Sequence, residues 1–462
     1  MSNYQFSLKP QKVPLVKTKY RLIQTKIPAP GTAKLLRRLQ KVESRSMHGQ
    51  LPIIWNKAIN FNVFDLSGNK WIDFTSTIFV ANVGHSNKKV TESIKKTLDS
   101  PLYSCYAYAN PLRAKFLEKL IDFTGNKFDK AFLLSSGTEA TEAVLKLMRM
   151  HGSKNMKRRR GVICIENNWH GRTLGAQMMS SNLAQSEWIG YKDIDIHHIA
   201  FPYPWALNDL SGKDFLIKEI EKLEKRGISL EKDICGFMLE TFQGWGAVFY
   251  PKDFVQEIER FCKDNNILLA FDEMQSGFAR TGKAFGFEHY DVSPSLIACG
   301  KGMGGGVPLS AVIGKGEIMD LPEIGNMSST HSANPLVCSA GLAVINEINS
   351  KKLISAAKQK GEIFFQRLEN LKEKFPKHIS YILGKGMIYG VIFVEPGSGL
   401  PASGFASKVA EKCMQKGLLV VHTGRESIKL GPPLTIDIDA LIEGVDVMEE
   451  AIEEVINYEA IS

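Results

Sequence analysis

From about residue 130 onward, short apolar runs alternate with longer segments whose apolar residues recur every three or four positions. Ala131-Phe-Leu-Leu-Ser135 predicts a buried strand that ends in small residues. Ala140, Val144, Leu147 and Met148 then share one face, which predicts a helix over residues 138–150. Further strands are predicted at Val162-Ile-Cys-Ile165, Cys235-Gly-Phe-Met-Leu239, Ile267-Leu-Leu-Ala-Phe271, Leu296-Ile-Ala-Cys299 and Ala311-Val-Ile313. Residues 253–263 carry Phe254, Ile258 and Phe261 at helical spacing. Strands separated by helices of this length imply right-handed βαβ crossovers and a mostly parallel sheet.

The two ends of the chain pattern differently. Residues 61–65 and 71–74 alternate around Gly68 and predict a β-hairpin. Residues 387–394 and 418–421 read as strands, and residues 403–415 and 438–456 as helices. The expected organisation is an N-terminal arm with part of a small domain (1–76), a large α/β domain (77–340) and a C-terminal small α+β domain (341–462). There is no internal repeat.

Composition narrows the class. With 462 residues, 44% apolar and 23% charged, the chain is long enough for a large core and unlike a disordered or fibrous sequence. No run of 18 apolar residues suggests a membrane span, and residues 1–10 lack the apolar core of a secretory signal. Seven dispersed cysteines without a CxxC pair suit reduced thiols in the cytoplasm. The net charge of +9 is local: residues 1–50 hold eleven Lys or Arg against one acid, Glu43. The expectation is a solvated, partly packed arm rather than a nucleic-acid surface on the body. The arm is Lys-rich rather than Arg- and Ser-rich, which argues against a mitochondrial presequence. The basic run 154–160 is expected to be a solvated loop.

Ligands of parallel sheets collect beyond the carboxyl ends of the strands. After the first strand stands Ser135-Ser-Gly-Thr-Glu-Ala140. Small residues opening a helix offer backbone N–H groups and the positive dipole end to a phosphate, although an ordinary N-cap fits equally. After residue 271 comes Asp272-Glu-Met-Gln275. A carboxylate there could cap a loop, bind metal or hold a cationic ring nitrogen, and the lack of an HxxxH or Asp/His cluster disfavours metal. After residue 299 comes Gly300-Lys-Gly-Met-Gly-Gly-Gly306. A buried lysine can lose its proton and form a Schiff base; a phosphate-binding or flexible glycine loop is the alternative. No Lys-Ser/Thr follows the glycines, so this is not a Walker loop. A phosphate cradle, an aspartate and a lysine 29 residues later together fit pyridoxal 5′-phosphate (PLP).

Here the chain resembles a known family, the class III (ω-type) aminotransferases of PLP fold type I. The likeness runs from Ile27-Pro-Ala-Pro-Gly31 to the last helix. It rests on Asn82-Val-Gly-His85, Ser136-Gly-Thr-Glu-Ala140, Trp169-His-Gly-Arg-Thr173, Glu240-Thr-Phe-Gln-Gly244, Phe271-Asp-Glu-Met-Gln-Ser-Gly-Phe-Ala-Arg-Thr-Gly282, Gly300-Lys-Gly-Met-Gly-Gly-Gly-Val-Pro308, Thr330-His-Ser-Ala-Asn-Pro335 and Leu430-Gly-Pro-Pro-Leu434. The resemblance implies that Lys301 is the Schiff-base lysine and proton shuttle. Asp272 would pair with the pyridinium nitrogen and Gln275 with the ring hydroxyl. Ser136, Gly137 and Thr138 would form the phosphate cradle, and Thr330 would reach the phosphate of a partner subunit, implying a homodimer. Trp169 stands where the family usually has Phe or Tyr stacked on the cofactor, and His170 beside it is expected to be structural. Phe79 and Tyr106 are expected in the substrate pocket by rough position.

One position departs from the family. Before the Pro-Pro pair the family commonly carries an arginine that binds the substrate carboxylate or turns to a glutamate matching Glu240; here it is Lys429, with Arg425 nearby as a second charge. The resemblance implies transfer of a terminal amine, closest to the 4-aminobutyrate and ω-amino acid branch, to an oxo acid such as 2-oxoglutarate or pyruvate. The alternatives are an aminomutase of the glutamate-1-semialdehyde type, or an anion- or nucleic-acid-binding protein using its basic arm. No metal and no membrane partner are expected.

Overall fold

The computed structural model describes residues 4–100, 102–154, 159–191, 193 and 195–461, so residues 155–158 of the basic run lie outside the described residues. The chain divides into two compact units.

The first spans Lys88–Gly244 and Val248–Ile354. Its seven-stranded sheet has the order Lys130–Leu134, Ser310–Gly314, Leu296–Cys299, Leu268–Asp272, Ile234–Glu240, Gly161–Ile165, Ile196–Ile199. The strands run parallel except Ser310–Gly314, which is antiparallel to both neighbours. The exception has a simple cause. The connection before it is the glycine loop 300–309, which holds no α-helix, and a parallel crossover needs roughly a dozen residues or more. The pattern also hid the edge strand Ile196–Ile199, because His197 and His198 break its apolar run.

The helix expected over 138–150 runs Gly137–Gly152. Its Ala140, Val144, Leu147 and Met148 pack with Val162, Met238, Ala270, Ala298 and Val312 from the strands. Each large side chain buried there contributes about 1.5–3 kcal/mol. Leu268–Asp272 is buried along its length, so the side chain at its end is held on a rigid support.

The second unit gathers the described residues up to Asn87, Trp245–Ala247 and the chain from Ser355. The hairpin Asn62–Asp65/Lys70–Asp73 forms as expected, closed by Asp65 Oδ1 accepting from the Ser67 and Asn69 N–H groups. Trp55–Ile59 adds to one side of it, and Leu418–Leu419 pairs in parallel with Lys70–Asp73. A four-stranded antiparallel sheet joins Ile379–Lys385, Ile388–Phe393, Ser427–Leu430 and Val421–His422. The basic arm is packed more tightly than its charge suggests. Phe6, Tyr20, Ile23 and Ile27 are buried, and Arg21 donates to Glu443 at 2.6 Å and to the Lys416 carbonyl at 2.7 Å. Lys34, Arg37, Arg38 and Lys41, in and just after the helix Thr32–Gln40, remain exposed.

Candidate active site

Three loops at the carboxyl ends of strands in the first unit carry the expected chemistry. Lys301 directly follows Leu296–Cys299 and Gly300. Its φ of +38° lies in the left-handed region, a strain that a non-glycine residue tolerates only where its surroundings impose it. Gly300 cannot be larger, because a Cβ would lie 2.8 Å from Met274 Sδ. Packing around the Lys301 amine lowers its pKa from the ordinary lysine value, chiefly through desolvation and against the opposing pull of Asp272 and Glu240. A lysine that sheds its proton is a nucleophile and a base.

Asp272 ends Leu268–Asp272 and is buried. Its Oδ1 accepts from the Met274 N–H at 3.0 Å, and its Oδ2 lies 3.0 Å from His170 Nδ1. His170 thus orients the acid, a partner its letter alone did not disclose. The carboxylate keeps lone pairs for a further donor. Gln275 lies half-buried beside Gly244, where a Cβ would fall 2.4 Å from its Nε2.

The cradle opens the helix Gly137–Gly152. Ser136 is the N-cap and forms a capping box with Glu139, whose Oε2 accepts from the Ser135 and Ser136 N–H groups at 2.9 and 2.7 Å. Thr138 and Thr173 hydroxyls lie 2.6 Å apart, and Thr173 donates to Glu142 Oε1 at 2.6 Å. That chain uses the Thr173 proton on the carboxylate, so the Thr138 hydroxyl donates to Thr173. The N–H groups of Gly137 and Thr138, at the first two helical positions, are what the helix end offers an anion. Gly171 is needed beside them, since a Cβ would come 2.2 Å from Thr138 Oγ1.

Trp169 is 37% exposed. Its backbone N–H donates to Glu240 Oε2 at 3.0 Å, and the Gly244 backbone N–H lies 3.4 Å from the same atom. Buried Glu240 thus holds the loop that carries Trp169. The Arg172 guanidinium stands 4.5 Å over the indole, a cation on the site's aromatic wall that sequence reasoning passed over although it sits three residues along the same motif. Thr330 is exposed. Its loop is fixed on both sides, by a Ser329–Ser332 hydroxyl contact with Ser135 3.0 Å from Ser332, and by Asn334 donating to the His331 carbonyl at 2.8 Å. Tyr106 is exposed in the first unit, whereas Phe79 and Lys429 are buried in the second. Lys429 Nζ stands 4.8 Å from the Phe79 ring centroid.

A lysine whose pKa is lowered by burial, a histidine-held carboxylate, an exposed aromatic wall and an anion-binding helix end suit a planar, phosphorylated aldehyde. They define a PLP-dependent enzyme of fold type I. The family model "Aminotransferase class-III" matches residues 44–452, and the chain belongs to that family, with PLP as its cofactor. It is 33% identical over 413 residues to the acetylornithine aminotransferase of Methanocaldococcus jannaschii, covering 88% of this chain and 96% of that one. It is equally 33% identical over 413 residues to a leucine/methionine racemase of Thermococcus litoralis, covering 87% and 91%. The crystal structure of acetylornithine aminotransferase from Elizabethkingia anophelis superposes with a TM-score of 0.76 at 28% identity, covering 92% and 99%. Among the described residues no group of His, Cys, Asp or Glu could hold a metal ion, and no helix is long and apolar enough to cross a membrane.

Proposed function

We propose that this aminotransferase takes its amino group from a donor with a terminal amine, of the ornithine-derivative or ω-amino acid kind, and delivers it to an oxo acid. The observation that carries the reading is the lysine–carboxylate–histidine arrangement on the class III framework, together with relatives named for acetylornithine. When bound, PLP supplies the electron sink that makes the carbon bearing the amine acidic. Lys301, whose pKa burial lowers, takes the proton from that carbon and returns one to the acceptor's carbon. Asp272, oriented by His170, holds a proton on the ring nitrogen. The Gly137 and Thr138 N–H groups hold the phosphate, Gln275 the ring hydroxyl, and Trp169 lies along the ring. Lys429 is the residue proposed to receive the substrate carboxylate.

The working form is a homodimer in which Thr330 serves the partner's phosphate. A threonine exposed at the tip of a loop fixed on both sides is presented outward, which supports that assignment. A cytoplasmic location fits the free cysteines.

The test is a half-reaction. Mixing the PLP enzyme with N-acetylornithine, 4-aminobutyrate or a diamine should bleach the cofactor's visible absorbance, and 2-oxoglutarate or pyruvate should restore it. A second reading, isomerisation, is favoured by the racemase relative. It predicts inversion of a chiral amino acid without any oxo acid and without net bleaching.

A further inference from the structure

Behind Glu240 and Asp272 lies a second carboxyl that the chemistry above does not use. Ile234–Glu240 and Leu268–Asp272 run side by side and end in register, with Asp272 opposite Glu240. Successive residues of a strand point to opposite faces. Glu240 and Asp272 accordingly reach Trp169 and His170, whereas Thr241 and Glu273 turn the other way and meet each other. Glu273 is wholly buried. Its Oε1 accepts from the Thr241 hydroxyl at 2.8 Å and the Phe287 N–H at 2.6 Å. Its Oε2 accepts from the Gly286 N–H at 2.8 Å and lies 2.5 Å from the Ser276 hydroxyl. Gly286 has no room for a side chain, since a Cβ would fall 2.6 Å from Thr241 Cγ2 and 2.8 Å from Ser276 Cβ.

Counting protons decides the charge. The Ser276 hydroxyl also lies 3.0 Å from Thr241 Oγ1, so Glu273, Ser276 and Thr241 close a ring of three oxygen–oxygen contacts. The two hydroxyls bring two protons. If Glu273 is ionised, one contact holds no proton. If Glu273 is protonated, its O–H donates to Ser276, Ser276 to Thr241 and Thr241 back to Glu273. Every proton in that ring has an acceptor, and bonds arranged head to tail reinforce one another. Each carboxyl oxygen keeps a lone pair for its backbone N–H. Burial acts in the same direction, pushing the carboxyl up to about 7 against the pull of its hydrogen bonds. The titratable groups that feel its charge are Tyr290 and Cys299, both raised by burial. Asp272, next to it in the chain, faces His170, and Arg280, a cation of the same loop, is wholly buried.

We propose that Glu273 is a positioning residue that works with its proton on, locking the two strand ends and the 286–287 loop together behind the cofactor site. Glu240, Asp272 and Gln275 each stand one residue from a member of the ring. The neutral acid leaves Asp272 as the single negative charge of its own segment. Loss of the proton puts a second charge next to it in the chain and opens the ring at Thr241, so the segment that presents Asp272 and Gln275 slackens as pH rises. The kinetic consequence rests on Asp272 serving the ring nitrogen; the proton on Glu273 does not.

The experiment uses the full-length PLP enzyme, labelled with carbon-13 glutamate and followed by difference infrared spectroscopy. A protonated glutamate band should be present at about pH 6, above the ordinary glutamate range, and should fade as pH rises through about 7. The band should be absent from Glu273→Gln. Across the same range the wild-type kcat should fall about fivefold, with both KM values within about twofold. Glu273→Gln keeps an N–H toward Ser276, as the acid does, and should hold its kcat across the range. Its Tm should be lower, because an amide nitrogen cannot accept from the Gly286 N–H. If Glu273→Gln does not fold, Ser276→Ala opens the ring and should shift both the band and the fall in kcat. Absence of a protonated glutamate band at about pH 6 overturns the proposal whatever the substrates are. A band in the wild type, with the fall in kcat unaltered in Glu273→Gln or in Ser276→Ala, overturns the positioning role.

Discussion

His170 Nδ1 lies 3.0 Å from Asp272 Oδ2, with both side chains shut away from solvent. A carboxylate can only accept, so the imidazole donates. The bond leaves Asp272 in one orientation, with its remaining lone pairs for the ring nitrogen. Asp272→Asn should lower kcat by about 10³-fold while phosphate contacts retain the cofactor. His170→Phe should lower it by about tenfold, because the acid survives but its orientation is lost. Single-turnover deprotonation of a deuterated donor checks both. A near-wild-type rate in Asp272→Asn would refute the assignment.

The lowered pKa of Lys301 makes a prediction about stability. Between the lowered folded value and the ordinary lysine value, the unfolded chain holds a proton that the folded chain does not. Stability therefore rises with pH through that window and is lost as pH falls through the folded pKa. In the cofactor-free enzyme, Lys301→Met should flatten this slope and raise Tm near neutral pH, since it replaces a desolvated amine by an apolar chain. Thermal melts across pH 6–10 read it directly, and parallel pH profiles for the two proteins would show that the amine is not desolvated.

Much of this architecture was legible because burial and periodicity coincide. The apolar run Ala131 to Leu134 and the shared face of residues 140, 144, 147 and 148 announce strand and helix from the sequence alone. What was not legible lies in long-range partners. Nothing local to Ser310–Gly314 says that it runs antiparallel; the brevity of the preceding loop does. Nothing in His170 names Asp272, 102 residues away. The glycine-rich and acidic motifs pointed to the cofactor site through their order, whereas residues Ser76 to Phe79, with φ from +46° to +66° and no glycine among them, contradict their own preferences and were invisible. The second charge expected at Arg425 is better described as engaged: its guanidinium lies 3.9 Å over the Trp245 ring and 3.2 Å from Glu426.

Shared sites predict complementation. If Thr330 serves the partner's phosphate, Lys301→Ala subunits mixed with Thr330→Val subunits should form hybrids in which one site has both residues intact. Activity above that of either parent is expected after proven subunit exchange. Thr330→Val alone should weaken PLP retention during dialysis by about tenfold, the worth of one hydrogen bond to a charged group. Complete absence of a gain, with exchange verified by mass spectrometry, removes the shared-site model.

The last prediction concerns acceptor preference. Lys429 occupies a strand, Ser427–Leu430, whose residues are all buried, so the side chain cannot simply turn to solvent. Its ammonium lies 4.8 Å from the Phe79 ring centroid. Such a charge gives a carboxylate one directed contact, whereas arginine would give two in a plane. The enzyme as it stands should use pyruvate and 2-oxoglutarate with similar kcat/KM. Lys429→Arg should lower the acceptor KM with little change in the donor half-reaction, provided the larger guanidinium stacks on Phe79 as the ammonium does. Lys429→Ala should raise it. The measurement is kcat/KM for both acceptors in all three proteins. Shifts below about twofold, worth only ~0.4 kcal/mol, in both variants would show that the carboxylate is held elsewhere, and the Arg172 guanidinium over Trp169 would be the next residue to replace.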